Sequence, residues 1–259
     1  MIVEDVMSIN PISVSPGEFV TKARELMRDH GIGSLPVVRN GRYEGMITVQ
    51  DIISITSTKS DVTIDGFIRR NVPTVELTTK AEEAAKKLLG TTEGRLPVVI
   101  EGGRLAGILS IVDLFDELDE LGVPDLPVNE VMTRKVIVCE PSDPISRVWR
   151  NMTEFGIYGF PVVRASQEII GMITREDILR RGYVRFERES DKTRQSSTVQ
   201  MIMTTPAITI PENESVRKVA TIFSSRGIGR LPVVNGKKLA GIVDRYDVLR
   251  VCRRLMAVE

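Results

Sequence analysis

Four segments of the chain share one apolar anchor: SLPVV at 34–38, RLPVV at 95–99, FPVV at 160–163 and RLPVV at 230–234. Their prolines, Pro36, Pro97, Pro161 and Pro232, lie 61, 64 and 71 residues apart. Each is followed by a glycine and an aspartate at near-fixed distance. The aspartates Asp51, Asp113, Asp177 and Asp247 come 15, 16, 16 and 15 residues after the proline, and Gly45, Gly107, Gly171 and Gly241 come six residues before the aspartate. Such periodicity marks a chain built from one supersecondary unit used four times.

Each unit reads alike. A short opener ends near a methionine (VEDVM 3–7, VNEVM 128–132, VQMIM 199–203), with a degenerate second copy, IDGFI 64–68. A β-branched run follows, PISV in the first unit and AITI in the last. A helix comes next, with apolar residues such as Val20, Ala23, Leu26 and Met27 at helical spacing. Ser15–Glu18 and Thr79–Glu82 fit the capping-box pattern at its start, and Gly31, Gly90, Gly156 and Gly227 fit its end. Two strands then form a hairpin turning at Asn40-Gly41, Gly102-Gly103 and Asn235-Gly236, or more weakly at Ser166-Gln167. A second helix begins at Thr-x-x-Asp. The order is β-α-β-β-α, an α/β (α+β) class. One unit is too small to bury much surface alone, so the units are expected to pair. The expected boundaries are 1–58, 59–121, 122–184 and 195–259, paired as 1–121 and 122–259, with a polar linker at 183–198.

Composition narrows the class. Lys plus Arg is 35 and Asp plus Glu is 35 in 259 residues, so no net field attracts nucleic acid or a membrane surface. Cys139 and Cys252 match no metal or redox spacing, and one histidine, His30, cannot build a His-based metal site. The start, MIVEDVM, lacks a basic signal-peptide region. No apolar run reaches membrane-spanning length. The expected compartment is the cytoplasm. No nucleophile–base pair, metal cluster or Walker-type loop stands out, so no enzyme and no catalytic cofactor are expected.

The ordered set of a VM opener, I-G-x-L-P-V-V, G-x-I-T and T-x-x-D resembles the CBS-domain family, over nearly the whole chain. The resemblance implies four CBS repeats paired through their sheets into two Bateman modules, stacked as a disc. The layout is similar to that of the nucleotide-sensing γ subunit of AMP-activated kinase. It also implies an adenosine-containing regulatory ligand in the clefts between paired repeats, with output passed to a separate partner protein or a second copy of the chain.

The Thr-x-x-Asp element suits two uses. Thr48/Asp51, Ser110/Asp113 and Thr174/Asp177 can cap a helix, worth ~1 kcal/mol each. By the family resemblance, the aspartate holds the ribose and the hydroxyl lies near the phosphate. The fourth copy differs, with Asp244 before Asp247 in GIVDRYDV. Aspartate caps as well as threonine, but it opposes a phosphate by ~4 kcal/mol at ~4 Å and an effective dielectric of ~20. The fourth site is therefore expected to be unlike the others. It would stay empty, take a ligand without phosphate there, or recruit a cation or basic group, with Arg245 placed to offset Asp244. Arg95 and Arg230, just before LPVV, suit either an exposed loop or a phosphate clamp. Arg175, inside GMITREDI, suits an exposed first-turn position or a phosphate contact. The candidate ligand set is Thr48, Asp51, Arg95, Ser110, Asp113, Thr174, Arg175, Asp177, Arg230 and Asp247, for AMP, ADP or ATP. Two alternatives stay open: S-adenosylmethionine as the ligand, or a nucleic-acid-associated or scaffolding protein using Arg180-Arg181, Arg253-Arg254 and the segment Tyr183–Thr198.

Overall fold

The computed structural model describes residues 1–53, 61–91, 94–117, 121–180 and 197–252. The polar linker, apart from its last two residues, Arg181 and the Arg253-Arg254 pair lie outside them. In each repeat the LPVV strand and the following strand form the expected hairpin: β2 (Ser34–Arg39) with β3 (Arg42–Thr48), β4 (Arg95–Ile100) with β5 (Arg104–Ser110), β6 (Gly159–Val163) with β7 (Ile169–Thr174), and, after the short strand β8 (Ile210–Pro211), β9 (Arg230–Asn235) with β10 (Lys238–Asp244). Asn40 and Gly41 both take positive φ (52° and 78°), as a tight primed turn requires.

The proline inside each hairpin is tolerated for a geometric reason. Pro36 faces Met46, whose N–H and C=O turn the other way and bond to Arg69. Pro36 therefore withdraws no donor from the hairpin, and its carbonyl accepts from Val14 N–H on the opposite side at 3.0 Å. Val14, Val75, Cys139 and Ile210 carry the β-branched run as a parallel edge on the LPVV strand of their own repeat.

The openers do not stay with their own repeats. β1 (Ser8–Ile9), from the first opener, pairs with β5 of the second repeat, Ser8 opposite Ile108. Arg69, from the second opener, returns to β3 of the first, with Met46 N–H donating to Arg69 C=O at 3.0 Å and Arg69 N–H to Met46 C=O at 2.8 Å. Thr133 pairs with Ile242 and Thr204 with Met172 in the same way. Repeats 1 and 2, and repeats 3 and 4, are thus joined by reciprocal strand exchange. The recurrent glycine sits at each crossing. A Cβ on Gly171 would lie 2.8 Å from the Thr204 carbonyl oxygen, and one on Gly107 would lie 2.7 Å from that of Ser8.

The long helices are α2 (Val20–His30), α4 (Ala81–Leu89), α6 (Ile145–Glu154) and α8 (Val216–Arg226). The shorter helices are α1 (Val3–Val6), α3 (Val49–Ile53), α5 (Ile111–Leu114), α7 (Arg175–Arg180) and α9 (Arg245–Arg250). The two capping boxes expected before α2 and α4 do not form. α2 starts after Phe19 and α4 after Lys80, neither with a side-chain cap. Those residues are held instead by bridges to Thr63 and Ile2 of the partner opener, which delays each helix start. Apolar faces bury across the two pairs. One core joins repeats 2 and 4 (Ala84, Leu88, Leu96 with Val219, Phe223, Leu231), and the other joins repeats 1 and 3 (Ala23, Met27, Leu35 with Val148, Met152, Phe160). The exchanged openers plug into these cores. Val3 and Val128 enter the first, Ile64 and Val199 the second, all at 0% exposure, which is worth roughly 1.5–3 kcal/mol each.

Because the crossing leaves no room for a methyl group, Gly171→Ala is expected to cost about 1–3 kcal/mol. Urea unfolding of the variant beside the wild type measures it. An unchanged midpoint would mean that the crossing strand yields.

Candidate functional site

The four repeats meet around a cavity of about 450 Å³. Each repeat brings a short loop to it. Repeat 1 supplies Gly31, Gly33, Thr48 and Gln50, repeat 2 supplies Arg95, repeat 3 supplies Tyr158 and Thr174–Asp177, and repeat 4 supplies Ile208, Gly227, Gly229, Arg230 and Asp244–Tyr246. The sequence candidates Thr48, Arg95, Thr174, Arg175, Asp177 and Arg230 therefore converge on one space. Asp51, Ser110, Asp113 and Asp247 stand outside the described wall.

The Thr-x-x-Asp elements do form caps, and they also tie their own carboxylates. Asp177 Oδ2 accepts from Thr174 N–H at 2.9 Å and from Thr174 Oγ1–H at 2.7 Å. Its other oxygen, Oδ1, accepts no hydrogen bond from a described residue. Asp51 Oδ2 is held by Thr48 in the same way, at 2.8 and 2.7 Å. Its Oδ1 is occupied too, receiving Arg69 Nε–H at 3.0 Å and Nη2–H at 2.8 Å. Asp113 Oδ2 accepts from Ser110 N–H, and burial raises the pKa of this carboxyl against the lowering effect of that bond.

The arginines are not exposed loop residues. Arg175 is 1% exposed, which overturns the exposed first-turn reading. Its guanidinium lies 4.3 Å from the Tyr158 ring centroid and 5.7 Å from that of Trp149. It donates to Met152 C=O at 2.5 Å and to Gln50 Oε1 at 3.2 Å, while its buried Nε–H has no hydrogen-bond partner among the described residues. Loss of hydration lowers its pKa. Arg95 Nη1–H reaches across its pair to Ser34 Oγ at 3.1 Å, and its pKa is lowered by desolvation and then by neighbouring Arg245. Arg230 makes the equivalent crossing to Gly159 C=O at 3.0 Å.

The fourth copy answers its charge internally. Asp244 Oδ1 caps α9 by accepting from Tyr246 and Asp247 N–H, and Asp244 Oδ2 pairs with Arg230 Nη2 at 3.0 Å. The offsetting cation is thus Arg230, not Arg245. Arg245 lies against the Tyr246 ring instead, at 5.6 Å. A phosphate would have to compete with Asp244 for Arg230. Burial and the Asp244 charge push Asp247 up to about 6, from an ordinary 3.8.

Several site residues escaped the sequence reading. Gln50 and Ile208 stand inside quoted motifs, Thr48–Asp51 and AITI, but at positions where neither motif specifies a side chain, and Tyr158 precedes its anchor with no signal of its own. Arg69 carried a usable signal, because it stands at the register where the other openers have Ser8, Thr133 and Thr204. Among the described residues there is no group of three or more His, Cys, Asp or Glu that could hold a metal. No described helix is long and apolar enough to cross a membrane. Cys139 and Cys252 are buried thiols whose pKa values burial pushes to about 12.

A chain of four strand-exchanged β-α-β-β-α repeats around a shared central cavity is a CBS-type assembly. The family model for the CBS domain matches residues 3–57, 61–120, 128–183 and 199–254, and the chain belongs to that family. Among sequence relatives, the uncharacterized protein MJ1404 of Methanocaldococcus jannaschii is 28% identical over 96% of this chain, which spans 61% of that protein's length. The uncharacterized protein MJ1225 of the same organism is 26% identical, over 92% of this chain and 94% of its own. The crystal structure of MJ1225, described as that of a candidate archaeal homologue of γ-AMPK, superposes with a TM-score of 0.82 at 24% identity, covering 96% of this chain and 99% of that one. A conserved uncharacterized protein from Pyrococcus horikoshii gives 0.66 at 24% identity, over 97% and 100% of the two chains.

The Asp247 shift has a defined sign. Its folded pKa exceeds the unfolded value, so it contributes stability below pH ~4 that is lost as pH rises through about 6. Asp247→Asn should therefore gain on the wild type in thermal midpoint as pH goes from 4 to 7. An equal gap at both pH values would contradict this.

Proposed function

We propose that the protein is a regulatory sensor of adenine nucleotides. An adenosine-containing ligand binds beside Asp177, and its phosphates extend into the central cavity. The observation that carries this reading is Asp177 Oδ1, a carboxylate oxygen on a cavity wall with acceptor capacity left over after the cap is made. A ribose diol supplies two donors for such an oxygen. The same wall offers Ile208, at 43% exposure a flat apolar contact for a purine, and the Gly227 and Gly229 backbone. Arg95, Arg175 and Arg230 face that space with donors suited to phosphate, and Thr174 lines the same wall. S-adenosylmethionine carries a sulfonium where these cations gather, and so is the weaker fit.

The consequence of binding is mechanical. The ligand would touch repeats 3 and 4 through Asp177 and Ile208, and repeat 2 through Arg95. It would bias their relative positions only by the difference in its affinity for two arrangements. The output then passes to a separate partner protein in the cytoplasm, with no catalysis by this chain.

Titration calorimetry of the native protein with AMP, ADP, ATP and S-adenosylmethionine tests the reading. Asp177→Asn, which keeps the cap acceptor but not the charge, is expected to weaken adenine-nucleotide binding about tenfold or more. Failure of every nucleotide to bind, or an affinity untouched by this change, would sink it.

A further inference from the structure

The Thr-x-x-Asp elements that carry Asp51 and Asp177 are built from the same parts in opposite pairs. In each, the Thr-x-x-Asp carboxylate uses Oδ2 for its own threonine, at 2.8 and 2.7 Å for Asp51 and 2.9 and 2.7 Å for Asp177. In each, the exchanged opener of the partner repeat crosses in front of the hairpin, Arg69 opposite Met46 and Thr204 opposite Met172. The difference is the side chain that the opener presents. Thr204 leaves Asp177 Oδ1 open. Arg69 fills the equivalent oxygen of Asp51 with two donors at 3.0 and 2.8 Å. A carboxylate offers about four acceptor positions, and all four on Asp51 are spent within the protein. The pair is partly shielded, with side-chain exposures of 34% for Arg69 and 15% for Asp51.

We propose that Arg69 is an internal occupant of the first cleft: its guanidinium takes the carboxylate that a ribose would need, so the Asp51 cleft is closed to the ligand that the Asp177 cleft accepts. Arg69 thereby sets how many molecules one chain binds. The inequality between sites thus has a source separate from Asp244. It lies in the first pair of repeats, in an opener residue that belongs to neither Thr-x-x-Asp element of its own cleft. The same ion pair ties repeat 2 to repeat 1 beside the backbone exchange.

This inference rests on the ribose-handle reading of Thr-x-x-Asp, and its test separates the two. The measurement is the number of AMP molecules bound per chain at saturation, by calorimetry and by equilibrium dialysis with labelled AMP. It compares the wild type, Arg69→Thr, Arg69→Lys and Arg69→Thr combined with Asp51→Asn. Threonine is the residue found at this register in the third and fourth openers, and the Arg69 backbone bonds to Met46 do not depend on the side chain. Arg69→Thr is expected to bind one more AMP than the wild type, Arg69→Lys to keep the wild-type number, and the double variant to lose the added site. An Arg69→Thr count equal to or below the wild type overturns the proposal, as does an added site that survives Asp51→Asn. A wild type that binds no AMP while Arg69→Thr binds one would overturn the Asp177 reading and leave the proposal for Arg69 standing.

Discussion

The exchange of opener strands is the interaction on which the rest of the structure depends. Each repeat alone is a hairpin with one parallel edge segment, a long and a short helix and an open strand edge. Such an edge is a liability unless something covers it. Here each repeat covers the open edge of its partner, and two backbone hydrogen bonds at each of three crossings, 2.8–3.0 Å long, fix the register. The exchange also delivers Val3, Ile64, Val128 and Val199 into cores that their own repeats do not form. Without it the cores would lose four fully buried residues, and the clefts would lose one wall.

The second organising feature is that hydrogen bonds and apolar burial run in different directions. Strand pairing links repeat 1 to 2 and repeat 3 to 4. Burial links 1 to 3 and 2 to 4, and the Phe115–Phe223 ring contact at 6.3 Å belongs to the second set. A small unit cannot bury enough surface alone, and a single pair would still leave its helices half covered. Crossing the two sets closes all four repeats on one centre. The strand and helix starts at Arg95, Arg175 and Arg230 then face that centre. That is why residues that look like ordinary loop cations in sequence become the lining of a cavity.

Much of this was legible in advance. The spacing of Pro36, Pro97, Pro161 and Pro232 fixed the hairpins, because a period of that length with a primed turn leaves little freedom. The Thr-x-x-Asp caps followed from chemistry alone. The partner of each opener could not be read. An opener precedes its own repeat in sequence, and nothing local says that it pairs elsewhere. The steric demand at Gly107 and Gly171 was likewise invisible, since the atoms that need the space lie about 100 residues upstream of Gly107 and about 30 downstream of Gly171. The failed capping boxes before α2 and α4 have the same origin. Ser15 and Thr79 offer good local caps, and a long-range bridge from the exchanged opener wins.

The charges show how one backbone plan supports unequal sites. Three of the four copies of this capping geometry meet plainly different electrostatic settings. Asp177 keeps an oxygen in reserve, Asp51 spends its oxygen on Arg69, and Asp247 shares a desolvated corner with Asp244 and rises toward neutrality. Arg230 is pulled two ways, toward Asp244 and toward any anion in the cavity. Among the described residues Arg175 donates to two carbonyl oxygens and lies against two aromatic rings, with Glu176 beside it on the wall adding a favourable charge. A buried cation costs stability unless something answers it, and here the carbonyl oxygens, the two rings and Glu176 share that task. The repeat supplies the frame four times. Single side-chain differences on the exchanged openers and first turns decide which carboxylate keeps an open acceptor and which is spent within the protein.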